Sequence, residues 1–159
     1  MGSQSTINLA YIAGFLDGDG SLMLQLKKRS DGKRGWRFMC TICFYQDSRH
    51  EKPLYWIRKV FGIGYLSRRK DGMSELRING FEQIKRIIFD LLPFIRFKRI
   101  QANAFLKAAG LLSQKTTRQL TDIDLKKLIN LMLIIQNSNY VTKRKKTREE
   151  LLRIVGLTP

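Results

Sequence analysis

The stretch from Ile7 to Leu16 is apolar at nearly every position. It predicts a helix capped at Ser5 or Thr6 and running to about Asp17. A helix that is apolar all round is buried on most sides. One face of this one is small: Ala10 and Gly14 lie four apart with Ala13 beside them. A glycine inside a helix costs about 1 kcal/mol against alanine, which makes sense where another backbone comes close. Packing against the rest of the same domain is the alternative. After Gly20 the period changes to two. Leu22, Leu24 and Leu26 alternate with Ser21, Met23, Gln25 and Lys27, giving a strand with one core face and one free face. Beyond a basic turn, Trp36, Phe38, Cys40, Ile42 and Phe44 continue the core face, while Arg37, Met39, Thr41, Cys43 and Tyr45 share the free one. This is an antiparallel hairpin with one open side.

The pattern then repeats. "PLYWIRKVFG" predicts a second helix closed by Gly62, and Asp71-Gly72 turns a second hairpin with Ser67, Arg69, Glu75 and Arg77 on its free face. "FEQIKRIIFDLL" predicts a third helix ending before Pro93. Further helices are expected over about 97–113, 122–136 and 147–155, the last opened by the capping box Thr147 to Glu150. The layout is mixed α/β (α+β), with two hairpins forming one four-stranded antiparallel sheet backed by helices. The whole chain, 1–159, is expected to be a single domain. Residues 1–5 are expected to be a tag or disordered, and 138–159 a basic segment and C-terminal helix.

Charge changes the picture. Thirty Lys and Arg against thirteen Asp and Glu leave a net charge of +17. A domain this basic repels itself without a polyanionic partner, and nucleic acid is the leading candidate over an anionic membrane surface. The free sheet face, basic and poor in acids, is then a groove liner for a duplex. Cys40 and Cys43 do not make a zinc site, because there is no second Cys pair and His50 is the one histidine. On a strand they also point to opposite faces, so they read as ordinary thiols in a reducing compartment. No signal peptide or membrane span is read, so an intracellular, unsecreted protein is expected, in an undetermined compartment.

Against that charge, "YIAGFLDGDGS" ends a greasy helix in two acids, Asp17 and Asp19. A helix C-terminus disfavours acids by about 0.3–1 kcal/mol each, so something positive should be near. A divalent cation suits the place, since carboxylates and the unpaired Gly18 carbonyl are hard oxygen ligands. Asp19 is in phase with the free face, as though it opened the strand; Asp17 points elsewhere and reads as structural. An ordinary Asp-Gly turn is the alternative, and an EF-hand is not supported, because its ligand pattern and terminal Glu are missing.

Ile12 to Gly20, I-A-G-F-L-D-G-D-G, resembles the motif of LAGLIDADG homing endonucleases almost residue for residue. "LPFIRFKRIQAN" (Leu92 to Asn103) and "FGIGY" (Phe61 to Tyr65) extend the resemblance to about residues 6–137. It implies an αββαββα core with a saddle-shaped sheet. A single motif copy implies a homodimer packed through Ala10, Ala13 and Gly14. It further implies site-specific double-strand DNA cleavage at a long site by metal-dependent phosphodiester hydrolysis, leaving short 3′ overhangs. Asp19 and the Gly18 carbonyl would hold Mg²⁺, with Mn²⁺ or Ca²⁺ as substitutes. Gln46 matches a water-orienting position and Lys98 a basic residue that stabilises phosphate charge. His50 falls where relatives carry a basic residue, a surface histidine being the alternative. Base reading would come from Gln25, Lys27, Arg29, Arg37, Thr41, Tyr45, Ser67, Arg69, Glu75 and Arg77. Lys143, Arg144, Lys145 and Lys146 would contact phosphates. The alternative within the resemblance is an intron maturase that binds RNA without cutting DNA; outside it stands a basic ribosomal-type protein.

Overall fold

The computed structural model describes residues 5–139 and 144–159. Its elements are α1 (Thr6–Asp19), β1 (Gly20–Lys28), β2 (Trp36–Asp47), a 3-10 turn (Ser48–His50), α2 (Lys52–Phe61), β3 (Tyr65–Arg68) and β4 (Met73–Asn79). Then come α3 (Phe81–Leu91), α4 (Arg99–Gln114), a second 3-10 turn (Thr117–Gln119), α5 (Asp122–Ser138) and α6 (Arg148–Ile154). The mixed α/β layout and the four-stranded antiparallel sheet are as the periodicity predicts, with strand order β1-β2-β4-β3. Among the described residues, no helix is long and apolar enough to cross a membrane.

The local signals explain most of the boundaries. The Ser5 side chain caps α1, accepting from the Asn8 N–H at 3.2 Å. Gly62 ends α2 in the left-handed conformation, at φ 70°, and Gly72 turns the second hairpin at φ 81°. Capping boxes open α6 at Thr147 and Glu150 and α5 at Thr121 and Asp124.

The end of α1 differs from expectation. The helix runs two residues past Asp17, so Asp19 ends the helix and does not open the strand. The chain turns from helix to strand at Gly20, where a Cβ would lie 2.8 Å from the Leu16 Cα. Only glycine fits that approach.

The core lies between the sheet and the helices. Ile12 and Leu16 of α1, Ile42 and Phe44 of β2, Leu54 and Ile57 of α2, Leu76 and Ile78 of β4, and Ile87 and Ile88 of α3 are among its buried residues. Phe44 also meets the Phe15 ring, with centroids 6.0 Å apart. Ala13, expected on a face presented to a second copy, is buried in this core instead, because it follows Ile12 on the inward side of α1. The sheet's other face is open. It is less free in the middle than its period suggests: Thr41 and Cys43 are buried there, because β2 is a central strand flanked by β1 and β4.

Phe44 fills the middle of this core, so Phe44→Ala is expected to cost about 3–5 kcal/mol. Urea unfolding of the variant and the parent measures it; a loss below about 1 kcal/mol would mean that the core does not depend on this ring.

Candidate nuclease centre and nucleic-acid face

Two helix ends meet beside the motif. The last carbonyls of α1 and the first N–H groups of α4 have no partners within their own helices. The Asp17 carboxylate, buried, accepts from the backbone N–H groups of Arg96 at 2.7 Å, Phe97 at 3.2 Å and Lys98 at 3.0 Å. In return the Lys98 ammonium donates to the carbonyls of Leu16 at 3.0 Å and Asp17 at 2.5 Å. The positive group that the sequence demands at this corner is therefore partly supplied by the chain itself. Burial pushes the Lys98 pKa down, while Asp17 and Asp19 pull it back up. An ammonium has three donors, so one remains for a further anion.

Asp19 sits one turn edge away and is exposed. Among the described residues its carboxylate makes no hydrogen bond or ion pair. The neighbouring Gly18 carbonyl lies in the last turn, with no helical residue ahead to accept from. Gln46 lies at this end of the sheet: β1 begins with Gly20 opposite Phe44, two residues before Gln46. Its Oε1 accepts from the Asp47 N–H at 2.9 Å, leaving its amide donors free. His50 is exposed at the end of the 3-10 turn. Asp47, in front of it, is held below the usual carboxylate range by its hydrogen bonds and ion pair with Arg49, at 2.7 Å.

The open sheet face is arranged in cross-strand rows. Ser21, Cys43, Arg77 and Tyr65 form one, and Tyr45, Glu75 and Ser67 the next. Lys27 stands directly opposite Arg37. Like charges opposite one another destabilise a strand pair unless an anion lies over them. Gln25 is half-buried beside Met39, in the row between Lys27 and Met23. Three of the expected readers are pre-engaged: Arg29 pairs with Asp31 at 2.9 Å, Arg69 with Asp71 at 2.7 Å and Arg77 with Glu75 at 2.6 Å.

Two expected base readers are placed differently. Glu75 is buried and occupied, held by Arg77 and accepting from Ser67 at 3.3 Å, so it braces Arg77 and does not stand free. Thr41 is buried with its hydroxyl donated to Asn79 at 2.7 Å. Tyr45 is half-buried and shares a hydrogen bond of 3.1 Å with Ser21. Sequence reasoning missed Tyr65, which is 68% exposed in the row of Arg77. Its phase with Ser67 was the available signal.

The basic tail partly joins this face. A groove of about 380 Å³ between β1 and α5 is lined by Gln25, Lys27, Gln136, Arg144 and Lys146, among others. Gln136 ties the tail down, accepting from the Lys146 N–H and donating to its carbonyl. Arg144, Lys145 and Lys146 are exposed; Lys143 lies outside the described residues.

A family model described as LAGLIDADG endonuclease matches residues 12–109, more than half of the chain. The chain belongs to the LAGLIDADG endonuclease family. Among curated relatives it is similar to the DNA endonuclease I-CvuI of Chlorella vulgaris, at 31% identity over 101 residues. It is also similar to the DNA endonuclease I-CreI of Chlamydomonas reinhardtii, at 30% over 99 residues. These matches cover 64% and 62% of this chain and span 63% and 60% of the relatives' own lengths. Among solved structures, the homing endonuclease I-CvuI in complex with its target in the presence of Ca superposes with a TM-score of 0.83 at 26% identity, covering 96% of this chain and 97% of that one. The C-terminal half of the motif helix, from Ile12, the whole sheet and Lys98 fall within the family match.

Asp17→Ala leaves three N–H groups without their charged acceptor, and a hydrogen bond to a charged group contributes about 1.5–3 kcal/mol. The expected outcome is a loss of at least about 1.5–3 kcal/mol in urea unfolding, with faster amide exchange at Arg96, Phe97 and Lys98. Unchanged exchange at these amides would remove Asp17 as the tie between the helices.

Proposed function

We propose that this protein is a homodimeric, metal-dependent, site-specific endonuclease of double-stranded DNA. One observation carries the reading: at the end of the motif helix an exposed, unpartnered Asp19 carboxylate stands beside the Gly18 carbonyl and the Lys98 ammonium, at the edge of a basic open sheet. The donor set fits a hard divalent cation such as Mg²⁺. No group of three or more His, Cys, Asp or Glu able to hold a metal occurs among the described residues. Asp19 and Gly18 of one chain are thus a partial set, completed by phosphate oxygens and by the second copy of Asp19. A bound metal of this class supplies Lewis-acid stabilisation of the phosphate and a more acidic water.

The chain's own residues do the rest. Lys98 keeps its third donor for a phosphate oxygen, and Gln46 keeps its amide donors to orient water. His50, exposed at the end of the 3-10 turn, offers a ring N–H to the same backbone. Lys27, Arg37, Arg69 and Arg77 face base edges or phosphates, Arg77 held in place by Glu75. Arg144, Lys145 and Lys146 add affinity without sequence reading. Two such sites, one on each strand across the minor groove, leave short 3′ overhangs.

The second copy is supported by glycine. Ile7, Ala10, Tyr11, Gly14 and Gly18 form an exposed stripe along α1, with Ile7 81% and Tyr11 58% exposed. A Cβ at Gly14 or Gly18 would meet nothing within 4 Å. Each glycine costs helix stability, about 1 kcal/mol, for no reason inside the chain. A close second helix is such a reason.

Asp19→Asn is expected to lower cleavage of a selected target duplex by at least about a thousandfold while leaving binding within a few-fold, and EDTA is expected to stop the parent. Full nicking by the variant would sink the assignment. Gly14→Leu should fold, since the space is open, yet sediment as a monomer; a dimer in that variant would place the second copy elsewhere.

A further inference from the structure

One polar cluster remains outside the proposed chemistry. Glu51 occupies the N-cap of α2 but makes no side-chain cap bond there. Its carboxylate turns to the sheet, and the residue is 8% exposed. It accepts from Arg68 Nη2 at 2.6 Å and Nε at 3.1 Å, and from the hydroxyl of Ser74. Ser74 is fully buried and shares a 2.8 Å hydrogen bond with the Ser48 hydroxyl, while the Ser48 N–H donates to the Gly72 carbonyl at 2.9 Å. One carboxylate thus joins α2, the turn after β2, and both strands of the second hairpin.

Beyond this cluster, the outer strand of that hairpin is held by its ladder with β4 and by Leu66 against the core. β3 has four residues, none of them buried, and lies at the sheet edge. The turn from Arg69 to Gly72 is exposed. Side chains alternate along a strand, so Arg68 on the helix side and Ser67 on the open side are rigidly linked. Whatever holds Arg68 therefore also aims Tyr65, Ser67 and Arg69. An ion pair with one exposed partner is weak as a source of stability, but a bidentate guanidinium–carboxylate pair is directional. Arg68, the first cause, and Ser74 hold the Glu51 carboxyl down to about 2, so the pair is charged throughout the neutral range.

We infer that Glu51 is a positioning residue for sequence discrimination: through Arg68 and Ser74 it sets the orientation of the β3–β4 hairpin over the DNA. The inference rests on the endonuclease reading above. Glu51 touches neither DNA nor the reacting atoms. It acts from behind the sheet.

The test uses the full chain as parent, Glu51→Gln and Arg68→Gln. Arg68 is mostly exposed, so its variant keeps the test open if Glu51→Gln does not fold. Amide exchange is measured across the chain, and each protein is offered a library of randomised duplexes whose cleaved members are sequenced. Exchange at Ser48 and along β3–β4 should rise about tenfold in both variants, the scale of one hydrogen bond to a charged group. Discrimination at the base pairs under that hairpin should fall about tenfold, with the base pairs under β1–β2 and the rate on the best duplex within about twofold. Raised exchange with unchanged discrimination overturns the inference, as does unchanged exchange or an equal loss at every base pair. A parent that cuts no duplex sinks the endonuclease reading itself; a parent that cuts selectively, with variants that select the same sites, sinks only the role of Glu51.

Discussion

Two helix ends neutralise one another at the heart of this protein. α1 ends with orphan carbonyls and a partial negative charge; α4 begins with orphan N–H groups and a partial positive charge. Asp17, from the negative end, takes three N–H groups of the segment entering α4. Lys98, from the positive end, takes two carbonyls of α1. Each end lends the other the charge that its own backbone disfavours. Because that exchange absorbs Asp17, Asp19 is left exposed in the last turn and aimed outward. The tight passage at Gly20 then launches β1 and, with it, the whole sheet.

The sheet divides the molecule into a side that is complete and a side that is not. Behind it, apolar residues of α1, α2 and α3 close the core, and Glu51 anchors the edge hairpin. In front, Lys27 faces Arg37 without an intervening acid, and Arg77 is braced but outward. The motif helix leaves a stripe of open glycines and exposed apolar side chains. The facing cations and the open stripe are locally unfavourable in the lone chain. The proposed polyanion on the open face and the proposed second helix on the stripe would relieve them.

Much of this was legible from the order of residues. The change from helical period to alternation at Gly20 located the first hairpin, and Asp71-Gly72 located the second. The inequality of Asp17 and Asp19 could be read from phase, though not the helical state of Asp19, because Lys98 is about eighty residues away and its ammonium is what caps those last turns. Alternation also overstated the free face. Thr41 and Cys43 have the right parity, yet they are buried because β4 pairs with β2, a fact of strand order. Glu75 looked available and is taken, since its partner Arg77 lies two residues along the same face.

The sequence by itself determined the elements, the basic character and the family motif, because periodicity, turn residues and charge are local or additive properties. Only the tertiary structure decided which acid is spent and which is spare, that Ala13 belongs to the core, and that Glu51 holds the edge hairpin. Those outcomes depend on which distant groups arrive at the same place. Hydrogen bonds and ion pairs act over about 3 Å, and no spacing along a chain specifies such an approach before the core has closed.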